Sequence, residues 1–287
     1  MDTRTIQKIV PGRPTIEGAG VHLKRAFGYH DAPLLDPFLL LDDFSSDNPD
    51  DYLAGFPWHP HRGIETVTYM ISGEVKHGDS IGNSGVIRSG DIQWMTAGSG
   101  IIHQEMPHAY DGFMQGFQLW VNLPSSHKMM NPRYRGIQSG QIPEVTVDEN
   151  TTVKIICGEV QGIRGPVGDI VVETEYLDCT VAPNAGAVFP VKAGVTAFAY
   201  VFEGKCYFDS QKKKSIEPGH LVVFDDGERV EITTGGRTVR FLLVSGKPIG
   251  EPVAWYGPIV MNTQEELELA FREYRDGTFI KYDGKRG

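Results

Sequence analysis

Four side chains with metal-binding chemistry occur as two spaced pairs, His59-Pro60-His61 and His103-Gln104-Glu105. Residues i and i+2 of a β-strand point to the same face. Each pair can therefore aim both of its side chains at one point. A lone H-x-H is common decoration. A second pair that adds a third imidazole and a carboxylate, after the Gly98-Ser99-Gly100 turn, makes a specific pattern. Three imidazoles and one carboxylate suit a first-row divalent metal such as iron, and equally copper, nickel, cobalt or manganese. On an octahedral ion, four protein ligands leave two positions for water, dioxygen or a chelating substrate. A structural zinc site would more often be tetrahedral and rich in cysteine.

The residues between and around the pairs read as short strands joined by turns. Glu65, Val67 and Tyr69 alternate with Thr66, Thr68 and Met70, and Ser72-Gly73-Glu74 turns the chain. Val75 to Ile81 continues, Gly82-Asn83-Ser84-Gly85 signals a hairpin, and Ser89-Gly90-Asp91 is another turn. Ile92 to Met95 and Phe117 to Leu123 complete a strand-rich block. This rhythm predicts an all-β barrel or sandwich holding the ligands inside. Upstream, the stretch around Asp36–Phe44 reads as an apolar strand with acidic ends.

A second strand-rich block spans residues 153 to 244 and repeats the first. Tyr69-Met70-Ile71-Ser72-Gly73-Glu74-Val75 parallels Tyr200-Val201-Phe202-Glu203-Gly204-Lys205-Cys206, and the Gly90 turn parallels the Gly219 turn. This predicts two stacked barrels of one kind, with a domain boundary near residue 135: an N-terminal barrel over 1–135 and a C-terminal barrel over 136–287. Counting equal offsets from the shared glycines places Pro190, Lys192, Ile232 and Thr234 where the ligands stand. The second block contains one histidine, His220, so one barrel is expected to bind an ion and the other not. The chain ends in a helix: Thr263-Gln264-Glu265-Glu266 fits a capping box, Leu267, Ala270, Phe271 and Tyr274 follow at helical spacing, and Gly277 stops it.

The 287 residues carry a formal net charge of −10, with 40% hydrophobic and 22% charged residues. That balance suits a globular protein and argues against direct binding to phosphate backbones. The one compact basic run, Lys212-Lys213-Lys214, reads as a solvated hairpin tip. Three cysteines, odd in number and without C-x-x-C, argue against a disulfide framework or a cysteine zinc site. The polar start and the lack of an 18-residue apolar run predict no membrane span and a cytoplasmic home, or a nuclear one in a eukaryote.

Three runs then identify a family. His59-Pro60-His61-Arg62-Gly63-Ile64-Glu65-Thr66-Val67, Gly90-Asp91-Ile92-Gln93-Trp94-Met95-Thr96-Ala97-Gly98 and Gly100-Ile101-Ile102-His103-Gln104-Glu105-Met106-Pro107 resemble the pirins. The likeness extends to Leu119-Trp120-Val121-Asn122-Leu123-Pro124, Glu251-Pro252-Val253 and Gly257 to Thr263, so it covers nearly the whole chain. The resemblance implies a two-cupin fold with a single mononuclear iron in the N-terminal barrel, held by His59, His61, His103 and Glu105. Cupins in general often take a glutamate soon after the histidine pair, here Glu65. The resemblance to pirins assigns the carboxylate to Glu105 and leaves Glu65 to support the ligands or to pack.

It also implies two activities. One is that of quercetin 2,3-dioxygenases, which open a flavonol ring with dioxygen and release carbon monoxide, with Glu105 accepting the substrate proton. The other is iron-redox-dependent regulation, in which the metal's oxidation state alters a surface that binds another protein. For the surroundings, Phe56, Trp94, Met95 and Phe117 are expected either to line an aromatic pocket or to pack the core. Arg62 and Gln118 are candidates to hydrogen-bond groups around the ligands. His77 and His108 are expected at the surface, and Glu203 and His220 in turns.

Overall fold

The computed structural model describes residues 2–209 and 211–282. Its regular structure is mostly antiparallel strands and includes the expected C-terminal helix, Gln264–Arg275. Thr263 caps that helix through Glu266 N–H, and the Glu266 carboxylate reaches back to Thr263 N–H, forming the predicted capping box. Gly277 follows in the left-handed region at φ +71°. Among the described residues no helix is long and apolar enough to cross a membrane.

Two compact units form, each with two main sheets and a two-stranded ladder, and the two main sheets agree with the cupin resemblance. The first, here the histidine unit, comprises Pro14–Ala32, Phe38–Ser139 and the residues from Ile249 on. Its seven-stranded sheet includes the strands Val21–Phe27, Phe38–Asp43, Ile64–Ser72, Ile92–Thr96 and Gln115–Asn122. Its four-stranded sheet includes Phe56–His61, Glu74–Asp79 and Ile101–Pro107. The second, the apolar unit, comprises the chain to Arg13, Pro33–Pro37 and Gly140–Pro248. It has a seven-stranded and a three-stranded sheet. A single apolar cluster drawn from both sheets fills it, with Ile155, Val201, Val222 and Phe241 among its fully buried members.

Beside the boundary expected at residue 135, these units are discontinuous. The Ile6–Pro11 strand pairs with His220–Phe224 in the apolar unit. The C-terminal segment belongs to the histidine unit, where Val260 N–H donates to the Arg62 carbonyl (3.1 Å). Both pairings are long-range, and an exposed edge strand takes whichever strand reaches it.

The internal repeat is carried by matching turns. Gly73 and Gly204 both hold positive φ, as do Gly90 and Gly219, a conformation that glycine adopts without steric cost. Gly90 N–H donates to the Met70 carbonyl at 2.8 Å, and Gly219 N–H donates to the Val201 carbonyl at 2.7 Å. Lys212, Lys213 and Lys214 are exposed, as a solvated tip requires.

Candidate metal centre

The Phe56–His61 and Ile101–Pro107 strands are hydrogen-bonded neighbours, with His103 directly opposite His59. Along Ile101–Pro107 burial alternates strictly through Glu105, so Ile101, His103 and Glu105 face inward while Ile102 and Gln104 are less buried. The two ligand pairs are thereby brought to one inner face. The candidate ligand nitrogens of His59, His61 and His103 all lie within 4.8 Å of one another. Ring centroids are 4.4 Å apart for His59 and His103, and 4.8 Å for His59 and His61. Among the described residues this is the one group of three potential ligands.

The hydrogen bonds of two of these rings fix which nitrogen turns toward the cluster. His59 Nδ1 lies 2.8 Å from the Pro57 carbonyl, and His61 Nδ1 lies 3.1 Å from the Pro258 carbonyl. A carbonyl only accepts, so both Nδ1 atoms carry a hydrogen, and a neutral ring then presents its lone pair at Nε2. Those two Nε2 atoms face each other at 3.1 Å. Two lone pairs at that separation repel unless a cation lies against them. The His103 ring is fully buried, and neither of its nitrogens has a hydrogen-bond partner in the protein. A buried polar atom without a partner costs roughly 1–3 kcal/mol. Burial, followed by nearby His59, pushes His61 well below the usual histidine range. Burial, then His59, His61 and His77, does the same to His103. Neutral imidazoles with converging lone pairs are the form that binds a transition metal, so the residues present fit such an ion.

Glu105 is buried, and both of its oxygens are held: Thr68 Oγ1 donates to Oε1 at 2.8 Å and Gln118 Nε2 donates to Oε2 at 3.1 Å. The single Thr68 hydroxyl hydrogen is shared with Gln118 Oε1, 3.0 Å away. Glu65 is buried elsewhere. It accepts from Trp94 Nε1 at 3.1 Å and Thr96 Oγ1 at 2.5 Å, ties two strands together, and does not line the cavity described next.

A cavity of about 850 Å³ opens onto His59, His61, Glu105, Thr68 and Gln118. Its walls are largely aromatic and aliphatic, with Phe56, Trp58, Trp120 and Trp255 among them. Of the four candidates for an aromatic lining, Phe56 takes that place, whereas Trp94, Met95 and Phe117 are wholly buried in the core. Gln118 supports Glu105 as expected, but Arg62 does not reach the ligands. It donates to the Ser99 carbonyl (2.7 Å), Glu273 (2.8 Å) and the Phe279 carbonyl (2.9 Å), anchoring the C-terminal helix and the residues after it. His108 is exposed and contacts Glu74 at 2.9 Å. His77, expected at the surface, is wholly buried. It stands opposite Glu105 in the ladder, stacks on Tyr134 with ring centroids 5.0 Å apart and lies 3.4 Å from Asp79. Alternation places Val75, His77 and Asp79 on the inner face, a direction that composition alone does not give.

Thr68 and Trp120 were within reach of the sequence. Thr68 alternates with Val67 and Tyr69, and Trp120 lies two residues from Gln118 on the same strand face. Trp255 and the Pro258 carbonyl arrive from a distant part of the chain, and no local signal reports them. The turn after His61 admits the C-terminal segment only because residue 63 is glycine. A Cβ there would stand 1.9 Å from the Val260 carbonyl oxygen, at φ +77°.

Two double-sheet barrels, one of them carrying a three-histidine cluster at the wall of an apolar cavity, define a two-cupin protein. The profile of the Pirin family matches residues 20–121, and that of the Pirin C-terminal cupin domain matches residues 176–280. The chain belongs to the pirin family. It is 47% identical over 282 residues to a pirin-like protein of Caulobacter vibrioides, covering 97% of this chain and 100% of that one. It is 42% identical to Pirin-1 of Arabidopsis thaliana, covering 95% and 93% of the two chains. The crystal structure of quercetin 2,3-dioxygenase from Acinetobacter baumannii superposes with a TM-score of 0.88 at 31% identity, covering 97% of this chain and 99% of that one.

Proposed function

We propose that this protein is a mononuclear-metal dioxygenase that opens a flavonol ring with dioxygen and releases carbon monoxide. The observation that carries this reading is Glu105, a buried carboxylate held at both oxygens and opening, beside His59 and His61, into a large aromatic cavity. The likeness to the Acinetobacter quercetin 2,3-dioxygenase supports it.

His59, His61, His103 and Glu105 would hold one divalent ion, iron by family resemblance. When bound, that ion supplies Lewis-acid and redox chemistry, lowering the pKa of a coordinated hydroxyl and giving access to dioxygen. The remaining steps belong to the chain. Trp58, Trp120 and Trp255 offer ring faces to a flat aromatic substrate. The apolar walls exclude water, which strengthens every charge interaction at the carboxylate. Glu105 accepts the proton of the 3-hydroxyl and returns it to the ring-opened product. Thr68 and Gln118 keep its oxygens aimed while its charge changes. The carbon bearing that hydroxyl leaves as carbon monoxide, and both atoms of dioxygen enter the ring-opened ester.

The test is incubation of metal-loaded protein with quercetin in air. The flavonol absorption band is expected to fall with release of one carbon monoxide per flavonol consumed. No turnover with protein loaded in turn with iron, nickel, cobalt, manganese and copper contradicts the reading.

A further inference from the structure

The cavity has a second polar end. Arg25 on Val21–Phe27 stands opposite Asp42 on Phe38–Asp43, Asp42 stands opposite Gln118, and Gln118 stands opposite Thr68. Directly opposed residues of antiparallel strands share a face, and all four line the cavity. A polar stripe therefore runs from the two residues that hold Glu105 to an ion-paired group on the far strands. Two strand gaps separate Thr68 from Asp42, about 10 Å at ~4.8 Å each, a span that a two- or three-ring aromatic bridges.

At that far end Arg25 donates through Nε and Nη2 to the two oxygens of Asp42, both at 2.8 Å. Its Nη1 lies 2.9 Å from Glu17, which also lines the cavity. One guanidinium between two carboxylates leaves a net negative charge. Each Asp42 oxygen has accepting capacity beyond the Arg25 bond. Such a group repels a carboxylate or phosphate and accepts from a neutral O–H donor. The bidentate fork fixes the carboxylate plane, so the acceptor is preorganised rather than mobile.

We infer that Asp42, oriented by Arg25 and flanked by Glu17, is the distal acceptor of the cavity. It selects polyphenols bearing a free hydroxyl on a ring remote from the histidines. The assignment rests on the flavonol reading of the same cavity and adds its specificity element.

The experiment measures binding and turnover separately on metal-loaded protein. Quenching of indole fluorescence reports binding, because Trp58, Trp120 and Trp255 line the cavity. The two probes are quercetin and 3-hydroxyflavone, which lacks every hydroxyl but the one at position 3. Wild-type protein is expected to bind quercetin on the order of 10- to 100-fold more tightly, the worth of charge-assisted hydrogen bonds. In Asp42→Asn and Asp42→Leu the quercetin affinity falls by about tenfold or more. Binding of 3-hydroxyflavone stays within about twofold of wild type, and this also reports that each variant is folded. Glu17→Gln moves quercetin in the same direction by less. Equal loss for both probes, or no change for either, overturns the assignment and leaves Arg25–Asp42 as a structural ion pair. Discrimination in binding without release of carbon monoxide from either probe sustains the subsite and contradicts the reaction. Turnover without discrimination sustains the reaction and contradicts the subsite.

Discussion

The two units use one ladder for opposite purposes. In the histidine unit Val75 pairs with Pro107; in the apolar unit the matching Cys206, two residues after the shared glycine turn, pairs with Thr234. Two and four residues back along these strands, Ile232 stands where Glu105 does and Val230 where His103 does. Across the next pairing, His103 faces His59 and Val230 faces Phe189. Val191 then takes the place of His61, and its N–H bonds to the Glu228 carbonyl at 2.9 Å. The four candidate ligand positions are thus Phe189, Val191, Val230 and Ile232 in the other unit, all buried in its apolar core. The same hydrogen-bonded frame either gathers three imidazoles, with a carboxylate two residues along the strand from His103, or fills the space with aliphatic and aromatic carbon. The candidate chemistry is a set of side chains mounted on a barrel that both units share.

The two units are expected to differ most sharply at His103. Replacing it by the residue at the matching position, His103→Val, is expected to leave a folded barrel and to lower metal content from about one ion per chain to about a tenth or less. Metal analysis beside a thermal melt checks this, and retention of a full equivalent would overturn the ligand assignment. The reciprocal cut is Phe189→Ala, a large-to-small change in a filled core. It should cost about 3–5 kcal/mol of stability without altering metal content; a loss of metal on that substitution would show that the units do not keep their roles separate.

A smaller effect is expected where Glu105 is held. Gln118→Leu and Thr68→Val each free one carboxylate oxygen, and kcat should fall by about 10- to 100-fold while bound metal falls much less. An unchanged kcat would remove Glu105 from the proton-transfer step.

The smallest effect is on stability against pH. Burial lifts Asp42 to about 6, against the opposing pull of Arg25. The folded chain then holds that proton more tightly than the unfolded chain. Its contribution to stability is full below the ordinary aspartate range near 3.9 and is lost as pH rises through about 6. Asp42→Asn should flatten the melting temperature across that window; an unaltered slope would place the dependence elsewhere.

Much of this was legible because strand chemistry is local. The i, i+2 spacing of the histidines, the paired glycine turns and the capping box at Thr263 each report a short-range geometry. Equal offsets from the glycines gave Pro190 and Lys192 in place of Phe189 and Val191, one residue out. They paired Ile232 with His103, whereas the ladder pairs it with Glu105. Turn lengths differ between the units, and the histidine unit carries an irregularity in pairing between His103 and Glu105, so counting drifts where hydrogen bonds do not. His77 shows the second limit. Alternation separates two faces without saying which is inward, and that is decided by strands far away in the chain. The third limit is the C-terminal segment, whose Trp255 and Pro258 complete the cavity wall and the His61 hydrogen bond from nearly two hundred residues away.

One ion per chain is expected, held by the histidine unit alone. Metal analysis of protein purified from its own host, with X-ray absorption on the same sample, tests it directly. The expected result is one first-row ion per 287-residue chain, with three imidazole nitrogens and a carboxylate oxygen in its coordination sphere. Two ions per chain, or a single ion with fewer than three imidazoles, would contradict it.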